Sequence, residues 1–494
     1  MDPTPEQAEA IASYGDGLDL VLQAGAGCGK SSTLKMIALS DTRRSMVYVA
    51  YNKSIATDAQ KSFPSNAACA TAHSLAFRAI GVNYAHRLNG PRQTAHDAAQ
   101  VLNVPRLIGD PVGVPQIVGD MGEKVAMTSR RIMRYALETV TRFCYSADPE
   151  ITARHLPRTP GMRSRETLEQ LGALVLPVAR AAWEDIVRPD GALKFQHDHY
   201  LKLWALGRPK LDADVVLLDE GQDTNDVVSA VIRAQEHAQR IVVGDSAQQI
   251  YEWRGANDAL AKFAADGALE LTLSQSFRFG PAVAEAANAW LYVIDAPLRL
   301  RGFEPVPSRL APLDDPDAVL CRTNAGAMAV VMDALASGHR VALVGGGGDM
   351  QRLARAAAAL MSGRETDHPE LTAFASWQQV REYAEQEADG ADLRVLVKLI
   401  DEHGPEAIIA ATERLVPENQ AQLVVSTAHR SKGREWPKVR IHSDFRPPSP
   451  DPVTKNVTIR REEARLAYVA VTRAREVLDN TALAWVSQIT AVSD

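Results

Sequence analysis

A glycine-rich segment near the start of the chain has the residue types that bind phosphate. Residues 24–33 read AGAGCGKSST and follow the apolar run 20–23, which predicts a loop between a strand and a helix. Glycines let backbone N–H groups approach phosphate oxygens, and the positive end of the following helix dipole lies at the same point. Lys30 would reach the β- and γ-phosphates, and Ser31 would hold Mg²⁺. We therefore predict a nucleotide site at Ala24, Gly25, Ala26, Gly27, Cys28, Gly29, Lys30, Ser31 and Ser32.

Two adjacent carboxylates follow a second apolar run. Residues 215–218 read VVLL and lead directly into Asp219 and Glu220. Neighbouring carboxylates repel each other unless a cation is present, so alone they are compatible with a solvated acidic turn. Beside a phosphate loop, Asp219 is expected to orient Mg²⁺ and Glu220 to polarise an attacking water as general base.

A third segment combines acidic, amide, aromatic and guanidinium groups. Residues 244–256 read GDSAQQIYEWRGA and follow the strand-like run 241–243. Asp245 and Gln248 are predicted to face the nucleotide. The side chains predicted to face a nucleic-acid strand are Tyr251, Trp253 and Arg254. Aromatic faces stack on bases without regard to base sequence, as a protein that moves along a strand requires. The alternative for Trp253 is a buried core position, which is the usual location of tryptophan.

The elements that must position these groups are parallel strands alternating with helices. The runs read as strands are residues 20–23, 46–50, 215–218, 241–243, 341–344 and 423–426. They separate near residue 275, which predicts two α/β lobes. Each lobe is interrupted by a helix-forming stretch, one of which carries an arginine cluster at Arg130, Arg131 and Arg134.

Bulk properties limit the class of protein. The chain has 494 residues, too many for one ordinary core, and its 23% charged residues are typical of soluble globular proteins. Its formal charge of −7 argues only weakly against a nucleic-acid partner, since a local basic groove is enough. Four separated cysteines fit no disulfide framework or zinc cluster. We expect no membrane span and no secretory signal, and a cytoplasmic, nucleoid-associated protein of bacterial or phage type.

The order of the motifs resembles superfamily 1A helicases of the UvrD, PcrA and Rep type, closest in wording to the F-box DNA helicase branch. The chain begins directly at the first motif, so no F-box is expected before it. The matching segments are TPEQ (4–7), AGAGCGKSS (24–32), YNKS (51–54), TAHS (71–74), LLDEGQD (217–223), GDSAQQIYEWRGA (244–256), SQSFRF (274–279), CRTNA (321–325), STAHRSKGREWPKV (426–439) and EEARLAYVAVTRAR (462–475).

The resemblance implies an α/β fold of two RecA-like P-loop motor domains with parallel sheets flanked by helices and two inserted, mainly helical subdomains. The implied domains are 1A (1–85 and 196–272), 1B (86–195), 2A (273–349 and 419–494) and 2B (350–418). The second insertion is short for this family, and Gly221 replaces the usual Ala, a change expected to have little effect.

Further site residues also follow from the resemblance. Gln7 would read adenine, Glu435 would bind the ribose and Phe277 would lie at the ATP site. Arg278 and Arg473 would be arginine fingers, and Gln248 would report the γ-phosphate; catalysis would need the lobes to close. The DNA contacts implied by sequence and resemblance are Tyr51, Asn52, Lys53, His73, Tyr251, Trp253, Arg254, Arg322, Asn324, Thr427 and His429.

The predicted function is ATP- and Mg²⁺-dependent movement, 3′ to 5′, on single-stranded DNA and at junctions with duplex. Movement would drive unwinding in repair or recombination, or displacement of recombinase or other bound proteins, by a monomer or weak oligomer. The alternative is a DNA-stimulated NTPase subunit of a larger assembly, such as an antiphage system, with little unwinding of its own.

Overall fold

A computed structural model describes residues 2–91, 93–120, 122, 124–159, 161–250, 258–366, 368, 370–371, 374–386, 391–451 and 453–493. The chain divides into two compact units. Unit 1 comprises Met1–Gln23 and Lys30–Thr272, and unit 2 comprises Ala24–Gly29 and Leu273–Asp494.

Unit 1 is built on a sheet of apolar strands. The central strands are buried on both faces, as parallel strands covered by helices must be. The strands up to residue 273 are β1 Leu20–Ala24, β2 Met46–Ala50, β3 Ala67–Thr71, β4 Gln116–Val118, β5 Lys124–Ala126, β6 Val215–Leu218, β7 Gln239–Gly244 and β8 Leu269–Leu273.

The order of the main sheet is β3-β2-β6-β7-β1-β8, while β4 and β5 form a separate antiparallel pair. Strand β1 pairs in parallel with β7, and β7 pairs in parallel with β6. Gln23 lies opposite Gly244, and Leu218 lies opposite Val242. The segments that follow these three strands therefore begin at one edge of the sheet.

Helices cover this sheet and form an additional layer between residues 85 and 206. A single apolar core joins strand residues such as Val216 to residues of two long helices, including Ile132 and Val175. The helices are α1 Pro5–Gly15, α2 Lys30–Ser40, α3 Lys53–Ser62, α4 Ala72–Ala79, α5 Ala85–Leu88, α6 Ala95–Val101, α7 Val104–Leu107, α8 Ser129–Tyr145, α9 Arg165–Val187, α10 His197–Leu206, α11 Asp226–Arg233 and α12 Ala259–Ala265.

Unit 2 repeats the arrangement with a second sheet of order β11-β12-β10-β13-β15-β9 and a short parallel pair, β14 with β16. Its strands are β9 Arg309–Leu310, β10 Ala318–Cys321, β11 Val341–Leu343, β12 Leu423–Thr427, β13 Trp436–Ile441, β14 Thr458–Arg460, β15 Ala474–Asp479 and β16 Ala491–Ser493.

The helices of unit 2 pack on this sheet and on one another. The apolar core runs from strand residue Val425 to helix residues such as Leu353 and Leu396. The helices are α13 Pro281–Val293, α14 Asn324–Ala336, α15 Gly348–Met361, α16 Trp377–Gln386, α17 Ala391–Glu413, α18 Ala428–Ser431 and α19 Arg461–Val471. Helix α17 is kinked at Gly404, which has a φ of 77° and is followed by Pro405.

The predicted fold class is confirmed: two large parallel sheets flanked by helices account for both units. All six runs read as strands are strands. The other six strands of the two main sheets were missed: β3, β8, β9, β10, β13 and β15. AACAT of β3 lacks large apolar side chains, and WPKVRI of β13 contains proline and two cations. Among the described helices none is long and apolar enough to span a bilayer.

Candidate functional site

The phosphate-loop lysine and the two carboxylates meet in unit 1. Helix α2 begins at Lys30, and its Nζ lies 2.9 Å from Oε2 of Glu220. Ser31 Oγ donates a hydrogen bond to Asp219 Oδ2 over 2.6 Å. The contact joins residues separated by nearly two hundred positions because the segments after β1 and β6 begin at the same edge of the sheet.

The electrostatics of this cluster fit a site for a charged ligand. Burial raises the pKa of Asp219, and repulsion from Glu220 raises it further, against the attraction of Lys30. Burial acts to lower the pKa of Lys30, but attraction to Glu220, Asp245 and Asp219 outweighs it, so this pKa is raised. Lys30 is therefore held as a cation among acidic groups.

Glu220 has a strained backbone. Its φ of 53° and ψ of 46° place it in the left-handed region, which costs a non-glycine residue about 1–3 kcal/mol. Its side chain accepts hydrogen bonds from Lys30 and, over 2.6 Å, from Nε2 of Gln222. Strain of this kind persists only where the surroundings fix it, and here Lys30 and Gln222 hold the side chain.

A buried amide network continues from Glu220. Gln222 is fully buried, and its Oε1 accepts a hydrogen bond from the Asp245 N–H over 2.9 Å. Asp245 Oδ2 then accepts one from Nε2 of Gln248 over 2.6 Å. The network links the predicted general base to the segment 244–250, at the predicted nucleotide-facing residues Asp245 and Gln248.

Two further residues of unit 1 were not found by the sequence interpretation. The Tyr48 hydroxyl donates to Asp219 Oδ2 over 2.6 Å, and burial together with Asp219 raises the tyrosine pKa. Thr33 Oγ1 accepts a hydrogen bond from Nε2 of Gln7 over 3.0 Å. A tyrosine in the otherwise apolar strand MVYVA was the one available signal, since a buried hydroxyl needs a polar partner.

The donor set fits a magnesium ion. Ser31 Oγ and the Asp219 carboxylate are hard oxygen ligands, which Mg²⁺ prefers, and Glu220 adds a second carboxylate beside them. These residues would hold the ion, which when bound would neutralise charge on phosphate oxygens. The neighbouring Ser32 is exposed on helix α2.

The loop Ala24–Gly29 groups with unit 2, and its contacts there are specific. Gly27 has a φ of 76°, and a Cβ at this position would lie 2.6 Å from Arg278 Cβ. Its carbonyl accepts a hydrogen bond from the Phe277 N–H over 2.9 Å. The Ala26 carbonyl accepts one from Ser276 Oγ over 2.8 Å, and the Ala26 N–H donates to the Tyr468 hydroxyl. The remaining residues of the loop, all buried or half-buried, are Ala24, Gly25, Cys28 and Gly29.

The two arginine-finger candidates lie in unit 2 in different surroundings. Arg278 is half-buried, and its Nε donates to Glu435 Oε2 over 2.6 Å. Arg473 is only 1% exposed, and its guanidinium donates to the carbonyl oxygens of Val469 and Arg434. The ribose candidate Glu435 is thus bonded to one finger candidate.

The strand-contact candidates of unit 1 lie after β2 and β3. Tyr51 is 43% exposed, and Lys53 is exposed at the first turn of α3. Asn52 caps the same helix by accepting a hydrogen bond from the Ile55 N–H. His73 Nε2 lies 3.1 Å from Asp198 Oδ1. Three more candidates fall outside the described residues: Tyr251, Trp253 and Arg254.

The strand-contact candidates of unit 2 are partly engaged with the protein itself. Arg322 donates twice to Glu463, over 2.6 and 2.5 Å, in a half-buried pair. Burial opposes the charge of Glu463, but its bonds to Arg322 hold the pKa below the usual value. Thr427 caps α18, whereas Asn324 is exposed at the start of α14 and His429 is half-buried.

Comparisons with known proteins agree with this geometry. A family model described as an AAA domain matches residues 7–254, and one described as the UvrD-like helicase C-terminal domain matches residues 351–482. The chain belongs to the UvrD-like superfamily 1 helicases. The two family matches cover segments of both units.

Individual relatives support the same family. F-box DNA helicase protein 1 of Schizosaccharomyces pombe is 27% identical over 93% of this chain and 55% of its own length. F-box DNA helicase 1 of Gallus gallus is 27% identical over 92% of this chain and 46% of its own length. DNA helicase II of Escherichia coli is 40% identical over 79 residues, 15% of this chain and 11% of that protein. The chain thus spans about half the length of the F-box relatives.

Proposed function

We propose that this UvrD-like helicase hydrolyses ATP to move along single-stranded DNA. The observation that carries the proposal is the continuous network from Lys30 through Glu220 and Gln222 to Asp245 and Gln248. It joins the predicted phosphate and general-base residues to the segment that leads into residues 251–257. A link of that kind is what coupling of hydrolysis to strand movement requires.

Each residue of the network has a chemical role in the proposal. Lys30 neutralises charge on the β- and γ-phosphates, Glu220 accepts a proton from the attacking water, and Ser31 with Asp219 holds Mg²⁺. Gln222 orients Glu220, and Gln248 senses the γ-phosphate. Of the residues in unit 2, Arg278 and Arg473 stabilise transition-state charge, Glu435 binds ribose, and Phe277 lies at the nucleotide.

The nucleic-acid side of the proposal follows the family and the relatives, two of which are named as F-box DNA helicases. We propose 3′ to 5′ movement that unwinds duplex or displaces DNA-bound proteins such as recombinase filaments in repair. The strand would be contacted by exposed residues such as Tyr51, Lys53 and Asn324. We further propose the four-part division into domains 1A, 1B, 2A and 2B with the bounds predicted from sequence.

Lys30→Ala tests the hydrolytic site. DNA-stimulated ATP turnover is expected to fall to background, because the phosphate charge loses its cation, while anisotropy with a labelled single strand remains close to that of the native chain. Lys35→Ala, an equally conservative change on the same helix but outside the network, is the matched control. ATP turnover by Lys30→Ala at the native rate would contradict the site.

Unwinding assays on 3′-tailed and 5′-tailed duplexes test the movement. The expected result is unwinding of the 3′-tailed substrate alone, dependent on ATP and Mg²⁺. Displacement is measured separately, as the release of a recombinase filament from a single strand. ATP turnover stimulated by DNA with neither unwinding nor displacement would instead favour the alternative, an NTPase subunit of a larger assembly such as an antiphage system.

A further inference from the structure

A groove in unit 1 lies outside the residues used by the proposed motor. It has a volume of about 830 Å³ and is formed by helix α9 together with Ala153, Leu156, Arg158 and Arg163. None of the described residues predicted to bind nucleotide or strand lines it. The groove therefore lies apart from the described part of the proposed motor site.

The groove combines a basic rim with an aliphatic floor. Four arginines and one glutamate line it: Arg158, Arg163, Arg165, Arg180 and Glu169. Arg165 Nε pairs with Glu169 at 2.9 Å, but both side chains are more than half exposed, so this pair is weak in solution. The excess of positive charge is local, since the chain as a whole carries −7.

The floor adds apolar contact and one backbone acceptor. Leu156 is buried, whereas Leu168 and Leu176 are half-buried and keep apolar surface towards the groove. Pro177 lies inside α9 and has no N–H, so the carbonyl of Ala173 cannot accept the usual helical hydrogen bond from residue 177. Both residues are exposed and line the groove.

We propose that this groove docks an acidic, amphipathic helical segment of a partner protein. Leucine-type side chains of the segment cover the aliphatic floor, and its carboxylates pair with the arginine rim, as in other helix-in-groove complexes. The stripe from Arg165 to Arg180 on α9 is about 22 Å long at 1.5 Å per residue, which matches a helix of about 14 residues. A nucleic-acid strand fits less well because the described lining residues include no aromatic side chain for base stacking and the floor is aliphatic.

The test uses the full chain and a fluorescein-labelled synthetic peptide of about 14 residues with leucines on one helical face and glutamates on the flanks. We expect micromolar binding by fluorescence anisotropy. A peptide with lysine in place of every glutamate is expected not to bind. Arg165→Glu combined with Arg180→Glu removes two rim charges, and Ala173→Trp fills the floor without altering the charge. Each change is expected to weaken binding at least about tenfold.

Arg106→Glu combined with Arg188→Glu is the matched control, because both arginines are exposed in the same helical layer but lie outside the groove. This control variant is expected to bind the peptide with native affinity. All the variants are expected to keep the melting temperature and the DNA-stimulated ATP turnover of the native chain. Peptide binding weaker than about 1 mM would overturn the proposal, as would equal losses in the control variant. A labelled DNA duplex that loses affinity with the groove variants, while the peptide does not, would assign the groove to nucleic acid instead.

Discussion

Gln222 is the residue whose replacement tests the network most sharply. Its amide accepts from the buried Asp245 N–H and donates to Glu220, so one side chain connects the proposed general base to the segment 244–250. Gln222→Met keeps the length of the side chain but removes these two hydrogen bonds and a third, longer one that Nε2 donates to Asp223 Oδ2 over 3.3 Å. The variant therefore separates the polar role of this residue from its packing.

The structure gives the size of the expected effects. An orphaned buried N–H at Asp245 costs about 1–3 kcal/mol of stability. A hydrogen bond to a charged group contributes about 1.5–3 kcal/mol, but Lys30 still holds Glu220, so we take the lower end. If this bond positions Glu220 in the transition state, its loss lowers ATP turnover about tenfold. The Michaelis constant for ATP is expected to change little, because Gln222 makes no contact in the proposed phosphate cradle.

Gln235→Met is the matched control for this variant. Gln235 is 1% exposed, also lies in unit 1, and its Oε1 accepts a hydrogen bond from the Leu211 N–H over 2.7 Å. The control should lose a similar amount of stability in urea denaturation and retain native turnover per folded molecule. If Gln222→Met matches the control in both stability and turnover, Gln222 is a packing residue and the proposed link between Glu220 and Asp245 has no catalytic role.

Two further perturbations have definite expected outcomes. Gly221→Ala would place a Cβ 2.6 Å from Val242 Cγ1. The resulting overpacking should lower the free energy of unfolding by about 1–3 kcal/mol. A melting temperature equal to that of the native chain would contradict this packing. Burial lowers the pKa of His199 from 6.5 to about 4 despite the attraction of Asp198, so the stability that depends on a neutral imidazole is present above pH 6.5 and is lost as the pH falls towards 4. The loss amounts to about 3 kcal/mol. Urea denaturation at several pH values over this range should show that the free energy of unfolding of His199→Gln changes with pH by about 3 kcal/mol less than that of the native chain. An identical pH dependence in the two proteins would refute the assignment.

The meeting of Lys30 and Ser31 with Asp219 and Glu220 could be predicted from sequence because one topological rule governs it. Segments that follow parallel strands start at the same sheet edge, so identifying two strand ends is enough to bring their side chains together. The partners Tyr48, Gln222 and Thr33 could not be predicted in this way. Their contacts depend on which strands are neighbours and on side-chain direction, and neither is encoded in local spacing.

Arg322 also shows that a local motif does not determine the partner of a side chain. Its motif predicts a DNA contact, but the structure pairs its guanidinium with Glu463, 141 positions away in the chain. Either role uses an arginine after a strand end, so the local sequence does not distinguish them. The two are compatible only if a phosphate competes for the guanidinium with a half-buried carboxylate, which makes Arg322 a weaker candidate for strand binding than the exposed Asn324.

Gly221, which stands where the family usually has alanine, lies in the turn that carries the proposed general base Glu220. Any Cβ at residue 221 would press on Val242 and Leu260, so glycine lets this turn lie close against β7. That close approach places Gln222 within hydrogen-bonding distance of the Asp245 N–H at the end of the same strand. The amide can then donate to Glu220, whose left-handed backbone requires such support. Glycine at 221, the bond from Gln222 and the left-handed backbone of Glu220 therefore form one arrangement, in which the missing Cβ at residue 221 leaves room for the other two.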